Sequence, residues 1–276
     1  MGLKVNTNLN SLTVQNNLVT TDARVSDSLR KLSSGLRITS AKDDAAGFAI
    51  ANTFKARISS MRVASQNATE AQSMLQVADG AYTKINDIMV RMKSLATQAA
   101  SGQTDQTMMT GEFSALQAEI DRIASSTKYG STTLIDGTGE AASGITFQVG
   151  ATNDVSNQIQ INFTGATAAC LGVSSSTVGI GSLVSAQAAM TAIDAALTSI
   201  NAYMGSVGAF QNRLQYTVEN LSISIENFSA SESAIRDVDM AAEISTFTKN
   251  QILQQSGMAM LAQANSAPQQ ILTLLR

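Results

Sequence analysis

From Met61 onward the apolar positions fall alternately three and four residues apart: Met61, Ala64, Ala68, Ala71, Leu75, Ala78, Tyr82, Ile85, Met89, Met92, Ala96 and Ala99. A mean spacing of 3.5 keeps such a stripe on one side of an α-helix, as in the seam of a coiled coil, and the alanines let a partner helix approach closely. The spacing predicts a helix from about Ala41 to Ser101, roughly 90 Å long at 1.5 Å per residue. Ser40 and Asp43 form a capping-box-like pair at its start, where Asp43 and Asp44 also face the positive end of the helix dipole. Gly102 is expected to end it. The only proline in the chain is Pro268, so nothing in the interval interrupts the helix.

The flanking segments carry the same period less completely. Leu18, Val25 and Leu32 repeat every seven residues, with Leu29 and Leu36 beside them, and Gly35 reads as the stop of a first helix. A break follows from Gly35 to Thr39. Met109, Phe113, Leu116, Ile120 and Ile123 predict a third helix. From Lys128 to about Ser182 the period changes. Gly, Ser and Thr dominate there, and two alternating runs, GITFQVG and NQIQINF, predict a hairpin or small sheet. Helical spacing returns at about Val184 and runs through Val207, Gln211, Leu214, Val218, Leu221, Ile225, Phe228, Glu232 and Ile235. It continues more weakly through Met240, Ile244, Phe247, Met258 and Leu261.

The predicted fold is mainly α: an elongated antiparallel coiled-coil or helical bundle of N- and C-terminal helices, with a small β-hairpin region in mid-chain. A bundle whose seams reach both tips keeps unsatisfied apolar surface, which predicts self-association.

The last residues sharpen that expectation. SAPQQILTLLR places Ile271, Leu272, Leu274 and Leu275 close to the C-terminal Arg276. Burying four such side chains gains roughly 6–12 kcal/mol, against about 8–16 kcal/mol of backbone entropy for ordering Gln269–Arg276. The terms nearly cancel, so this tail needs a partner surface.

Composition narrows the class. Apolar residues make up 44% but aromatics only 4%, with no Trp, which suits Ala-, Leu- and Met-rich helix packing. A net charge of −3 gives no overall field for nucleic acid. Locally, residues 1–62 hold nine Lys/Arg against four Asp/Glu, and the remainder nine against seventeen. The basic N-terminal stretch is expected to pair along its length with the acidic one containing Glu219, Glu226, Glu232, Asp237, Asp239 and Glu243, biasing register more than stability. No apolar run approaches a membrane span, so no membrane insertion is expected. MGLKVNTNLNSLTVQNNL lacks the apolar core of a cleaved signal peptide.

The sequence offers no catalytic chemistry. Without histidine, imidazole metal sites and His-based triads are absent. Cys170, the single cysteine, excludes an intrachain disulfide and reads as a small hydrophobe in a loop or packed edge. GTGEAASG at 137–144 lacks the spacing of a dinucleotide turn. Asp43 and Asp44, adjacent on a helix, point about 100° apart and suit the dipole better than acid–base work. Sequons begin at Asn67, Asn162, Asn220 and Asn227, three of them in predicted helices. The Ser/Thr-rich stretch 131–182 is where O-linked sugars would sit. Neither enzyme activity nor a cofactor is expected.

LSSGLRITSAKDDAAGFAIA (32–51) and QILQQSGMAMLAQANSAPQQILTLLR (251–276) closely resemble the two ends of bacterial flagellins. NTNLNSLTVQNNL (6–18), EIDRIASSTKYG (119–130) and TFQVGATND (146–154) resemble the same family, in the same order. The resemblance implies a terminal coiled-coil domain, 1–42 plus 237–276, that lines the filament channel and orders on polymerisation. It also implies a rod domain, 43–236, with its β region at about 128–182. The expected chain is a short flagellin without variable outer domains, exported by the type III apparatus to the extracellular filament used for swimming. Its implied partners are itself, the cap, hook-junction proteins and an export chaperone.

On this reading Leu18, Val25, Leu29, Leu32, Leu36, Ile271, Leu272, Leu274 and Leu275 serve polymerisation. Leu75, Tyr82, Ile85, Met89, Met92, Val218, Leu221, Ile225 and Phe228 form the rod seam. Arg91, Leu95 and Glu112 match the positions read by the innate Toll-like receptor, or else make protofilament contacts. Around them the family's QRxREL pattern is only partly kept, with Val90, Lys93 and Ser94 standing for its Gln, second Arg and Glu. The alternative is a flagellar hook–filament junction protein, which shares flagellin-like ends.

Overall fold

The structure, a computed structural model, describes the backbone of residues 8–101 and 106–274, and the side chains of 8–101 and 107–266. The side chains of Ile271, Leu272 and Leu274, and all of Leu275 and Gly102, lie outside the described residues. Six helices and four short strands follow in the order α1 (Leu9–Ser34), α2 (Ala45–Ala99), α3 (Gln106–Ser126), β1 (Lys128–Tyr129), β2 (Thr132–Thr133), α4 (Gly139–Ser143), β3 (Ile145–Gln148), β4 (Gln158–Ile161), α5 (Leu183–Arg236) and α6 (Met240–Leu274). The chain forms two compact units, Met1–Ala56 with Asn227–Arg276, and Arg57–Glu226.

In the first unit α1 packs antiparallel on α6. Asn8 caps α1 by accepting from the Ser11 amide, and Gly35, at φ 71°, ends it in the left-handed conformation that costs a side-chain-free residue little. The predicted heptad partly faces α6: Leu18, Val25 and Leu32 are half-buried, and so is Leu36 beyond the helix end, whereas Leu29 is 56% exposed. On α6 the covered positions are Phe247, Asn250, Gln254, Gly257, Leu261 and Ala264. Met240, Ile244 and Met258, expected on that stripe, are exposed instead. The seam here is half polar, so apolar spacing alone misplaced it.

In the second unit all twelve seam positions of α2 are buried. α2 and α5 run antiparallel there, since Tyr82 meets Tyr203 with ring centroids 6.0 Å apart while Met61 and Leu221 line one groove. α3 turns Phe113 and Ile120 into the same core. The side-chain amide of Gln117, itself buried, donates to the carbonyls of Val173 and Val178 at 2.8 and 3.0 Å. That satisfies a polar group whose burial would otherwise be costly, and pins the 166–180 loop to α3.

GITFQVG and NQIQINF form β3 and β4, paired antiparallel with Ile145 opposite Ile161 and Gln148 opposite Gln158. A second, two-residue hairpin joins β1 to β2 across Gly130 at φ 60°. Cys170 is exposed in a turn rather than packed at an edge.

Two further expectations need correction. α5 contains an 18-residue window of mean hydropathy 1.3, long and apolar enough by composition to cross a membrane. Its buried members Ala186, Ala189, Ile193, Ala196 and Ile200 belong to the α2–α5 core. The pairing expected of the charged ends is not the one that Arg30, Lys31 and Arg37 make. Arg30 and Lys31 meet Asp27 on their own helix, and Arg37, which reaches across, meets backbone carbonyls instead of carboxylates.

Candidate polymerisation surfaces

The KDDAAG motif builds the start of α2. Its helix begins at Ala45, four residues later than the spacing predicts, and the two aspartates divide the work. Asp44 is the cap: one carboxylate oxygen accepts from the amides of Ala46 and Gly47 at 3.1 and 3.0 Å. A side chain at Gly47 would collide with that carboxylate and with Ile38, so glycine keeps the cap in place. Asp43 makes no capping box. Its Oδ2 accepts from the hydroxyls and amides of Thr39 and Ser40 at 2.8 to 3.2 Å, closing the turn before the helix. Those bonds, the Thr39 hydroxyl's first, hold its carboxyl down at about 2.

This turn lies against the end of α5. Arg37 donates through its guanidinium to the carbonyls of Ala234 and Ile235, and its amide donates to that of Arg236 at 2.7 Å. The Val238 amide donates to the Gly35 carbonyl at 3.0 Å, completing a one-bridge pairing of Leu36 with Asp237. A cation on the last carbonyls of a helix satisfies orphan acceptors and opposes the negative end of the dipole. Arg236 lies 5.7 Å from the Phe48 ring centroid, and Phe54 meets Phe228 at 5.4 Å.

The outward faces of α1 and α6 are mixed, with large apolar side chains exposed among polar ones. Leu9, Leu12, Val19 and Leu29 on α1, with Ile252, Leu253, Met258 and Met260 on α6, are 47–69% exposed. Singly exposed hydrophobes are ordinary; eight of them on one helix pair leave apolar area open to contact.

In the second unit Leu75, Tyr82, Ile85, Met89 and Met92 are fully buried, and Val218, Leu221 and Ile225 lie buried or half-buried on the facing stripe. Phe228, half-buried, belongs to the first unit. The Tyr82 hydroxyl donates to the Thr164 carbonyl at 2.7 Å, and burial pushes that phenol well above its usual range. Arg91 and Glu112 are brought together, joined at 2.7 to 2.8 Å and each about half-exposed. Leu95 is not with them: it is 2% exposed and packs in the core. Two shallow grooves, of about 500 and 570 Å³, flank the β3–β4 connection. Neither converges acid–base residues, and among the described residues no group of three or more Cys, Asp or Glu could hold a metal.

The fold is one of long paired helices, with large apolar side chains left exposed on α1 and α6. Residues 5–140 match the family described as bacterial flagellin N-terminal helical region, and residues 190–275 the bacterial flagellin C-terminal helical region. The chain is 40% identical to a flagellar filament 33 kDa core protein of Treponema phagedenis, over 99% of both chains. It is 37% identical to a flagellin of Bacillus subtilis, over 99% of this chain and 100% of that one. A flagellin of Halalkalibacterium halodurans is 38% identical over 99% of both. A crystal structure of Bacillus cereus flagellin overlays with a TM-score of 0.49 at 27% identity, covering 56% of this chain and 88% of that one. The chain belongs to the bacterial flagellins.

Proposed function

We propose that this chain is a structural subunit that polymerises into the extracellular flagellar filament, the propeller of swimming. The observation that carries the reading is full-length correspondence: relatives named flagellin or filament core protein align over 99% of this chain and 99–100% of their own. The hook–filament junction alternative gains nothing from those relatives. The large apolar side chains exposed on α1 and α6, Leu9 and Val19 among them, supply surface for burial between copies.

On this proposal the terminal domain, 1–42 plus 237–276, lines the filament channel. The 43–236 domain makes the lateral contacts. Ile271, Leu272, Leu274 and Leu275 serve polymerisation against neighbouring copies. Export proceeds through the type III apparatus, with the cap, hook-junction proteins and export chaperone as transient partners. The chain has no enzymatic role. A Toll-like receptor reading this face would meet Arg91 and Glu112 but not Leu95, which leaves the ion pair to protofilament contacts.

Seeded assembly of the purified subunit tests this, read by light scattering, electron microscopy and circular dichroism. Long filaments with a gain in helicity are expected. A chain that stays monomeric under every seeding condition would overturn the reading.

A further inference from the structure

Of the four Asn-x-Ser/Thr sequons in the chain, the backbone sets one apart. Those beginning at Asn67, Asn220 and Asn227 sit inside α2 and α5. Residues two apart on a helix point about 200° from each other, so the asparagine and its hydroxyl partner face opposite sides. Asn67 is also engaged, its side-chain amide donating to the Gln148 carbonyl at 3.0 Å. Asn162–Phe163–Thr164 lies just beyond β4, outside helix and strand. There Asn162 is exposed, Phe163 buried and Thr164 exposed. That is the alternation of an extended chain, which turns the first and third side chains to one side. The core holds this presentation from behind. Phe163 is 2% exposed and its amide donates to the Ala141 carbonyl at 3.0 Å, while the Thr164 carbonyl accepts from the Tyr82 hydroxyl at 2.7 Å. A side chain at Gly144 would collide with the Asn162 carboxamide, so glycine there leaves it room. Among the described residues no hydrogen bond engages the side-chain nitrogen of Asn162 or the hydroxyl of Thr164.

We propose that Asn162 is a site of N-linked glycosylation. Its side-chain nitrogen attacks the anomeric carbon of a sugar diphosphate donor. The C1–O bond breaks, a C1–N bond forms, the diphosphate leaves with the electron pair, and the nitrogen gives up one proton. The Thr164 hydroxyl, on the same side, is the group by which an asparagine-linking transferase recognises the triplet. A sugar at this position stands on exposed surface and adds its bulk outside the core. The site stands whether or not copies polymerise.

The test is mass spectrometry of the full-length chain recovered from the cells that make it, beside Asn162→Gln, Thr164→Ala and Thr164→Ser variants produced in the same cells. Circular dichroism and melting establish that each variant folds; the substituted side chains are exposed, so both should match wild type. The peptide spanning Asn162 is expected to carry added sugar mass in the wild-type chain and in Thr164→Ser, and to lose it in Asn162→Gln and Thr164→Ala. An increment of one sugar would mark a nucleoside as the carrier of the donor, and a whole oligosaccharide a lipid; either supports the site. An unmodified wild-type peptide would overturn the proposal. So would sugar that persists in Asn162→Gln, which would be O-linked to Ser or Thr. Sugar retained in Thr164→Ala would overturn the role given to its hydroxyl.

Discussion

Arg37 and Ile235 stand 198 residues apart in sequence, yet the guanidinium of the first donates to the carbonyl oxygen of the second at 2.6 Å. The bond joins the turn before α2 to the last carbonyls of α5, so one arginine closes a helix that begins more than a hundred residues later. Arg37→Ala leaves those acceptors to water and removes a cation from the negative helix end. A loss of about 1 kcal/mol is expected, read as a lower denaturation midpoint with an unchanged denaturant slope. Arg37→Lys should recover part of it, since an ammonium can donate to the same carbonyls but hangs on a more flexible stem.

The α2 seam makes a harsher prediction. Ala78 is fully buried at its middle. Ala78→Pro removes an intrahelical bond and drives the ring into the preceding turn, at about 3 kcal/mol or more. Leu75→Ala, one step earlier on the stripe, should cost about 2–5 kcal/mol through the cavity it leaves. Thermal unfolding of the two variants checks both, and near-normal melting of the proline variant would count against a continuous helix.

Tyr82 predicts an alkaline limit. Its phenol is held neutral by burial first and by the neighbouring Tyr203 second, and ionisation would also forfeit the bond it donates to the Thr164 carbonyl. A group whose folded value lies above its unfolded one contributes stability that is whole below the unfolded value of 10.0 and falls as pH rises beyond it. The midpoint of urea unfolding should therefore drop above about pH 10 in the wild-type chain and drop less in Tyr82→Phe. The variant should also be about 1–2 kcal/mol less stable at neutral pH, having stranded the Thr164 carbonyl.

Asp43 predicts the opposite limb. Its folded value of about 2 lies below the unfolded 3.8, so the turn's contribution is complete above about 4 and is lost as pH falls through about 2. Carboxyl-carbon chemical shifts should place the Asp43 midpoint near 2; a midpoint near 3.8 would mean the Thr39–Ser40 turn does not form in solution.

How far the sequence carried depends on whether a signal is periodic. Twelve apolar residues at one spacing over-determine a helix face, so the α2 seam was readable to the residue. The alternation in GITFQVG and NQIQINF was long enough to give a hairpin, whereas the two-residue pairing of Lys128–Tyr129 with Thr132–Thr133 was too short to register. The positive-φ Gly130 between them was its only trace. At the chain ends the register comes from unlike, unrepeated contacts: Asn8 donating to the Ala264 carbonyl at 2.7 Å, and Gln254 donating to Asp22 at 2.8 Å. No spacing rule reports such pairs. Asp43 and Asp44 show the same limit, since a sequence cannot say which of two adjacent carboxylates caps a helix and which ties the turn. Leu95 lies on the helix bearing Arg91, and only packing reveals that one faces inward and the other out.

The half-polar seam between α1 and α6 has a further consequence. Opening it returns Ser28, Asn250 and Gln254 to water, where each finds a new partner, along with the half-buried Leu18, Val25, Leu32, Phe247 and Leu261. Opening the alanine- and methionine-lined seam of α2 wets side chains that water cannot compensate. On these terms separating α1 from α6 is expected to cost less than parting α2 from α5, and hydrogen exchange should be faster in the first pair than in the second.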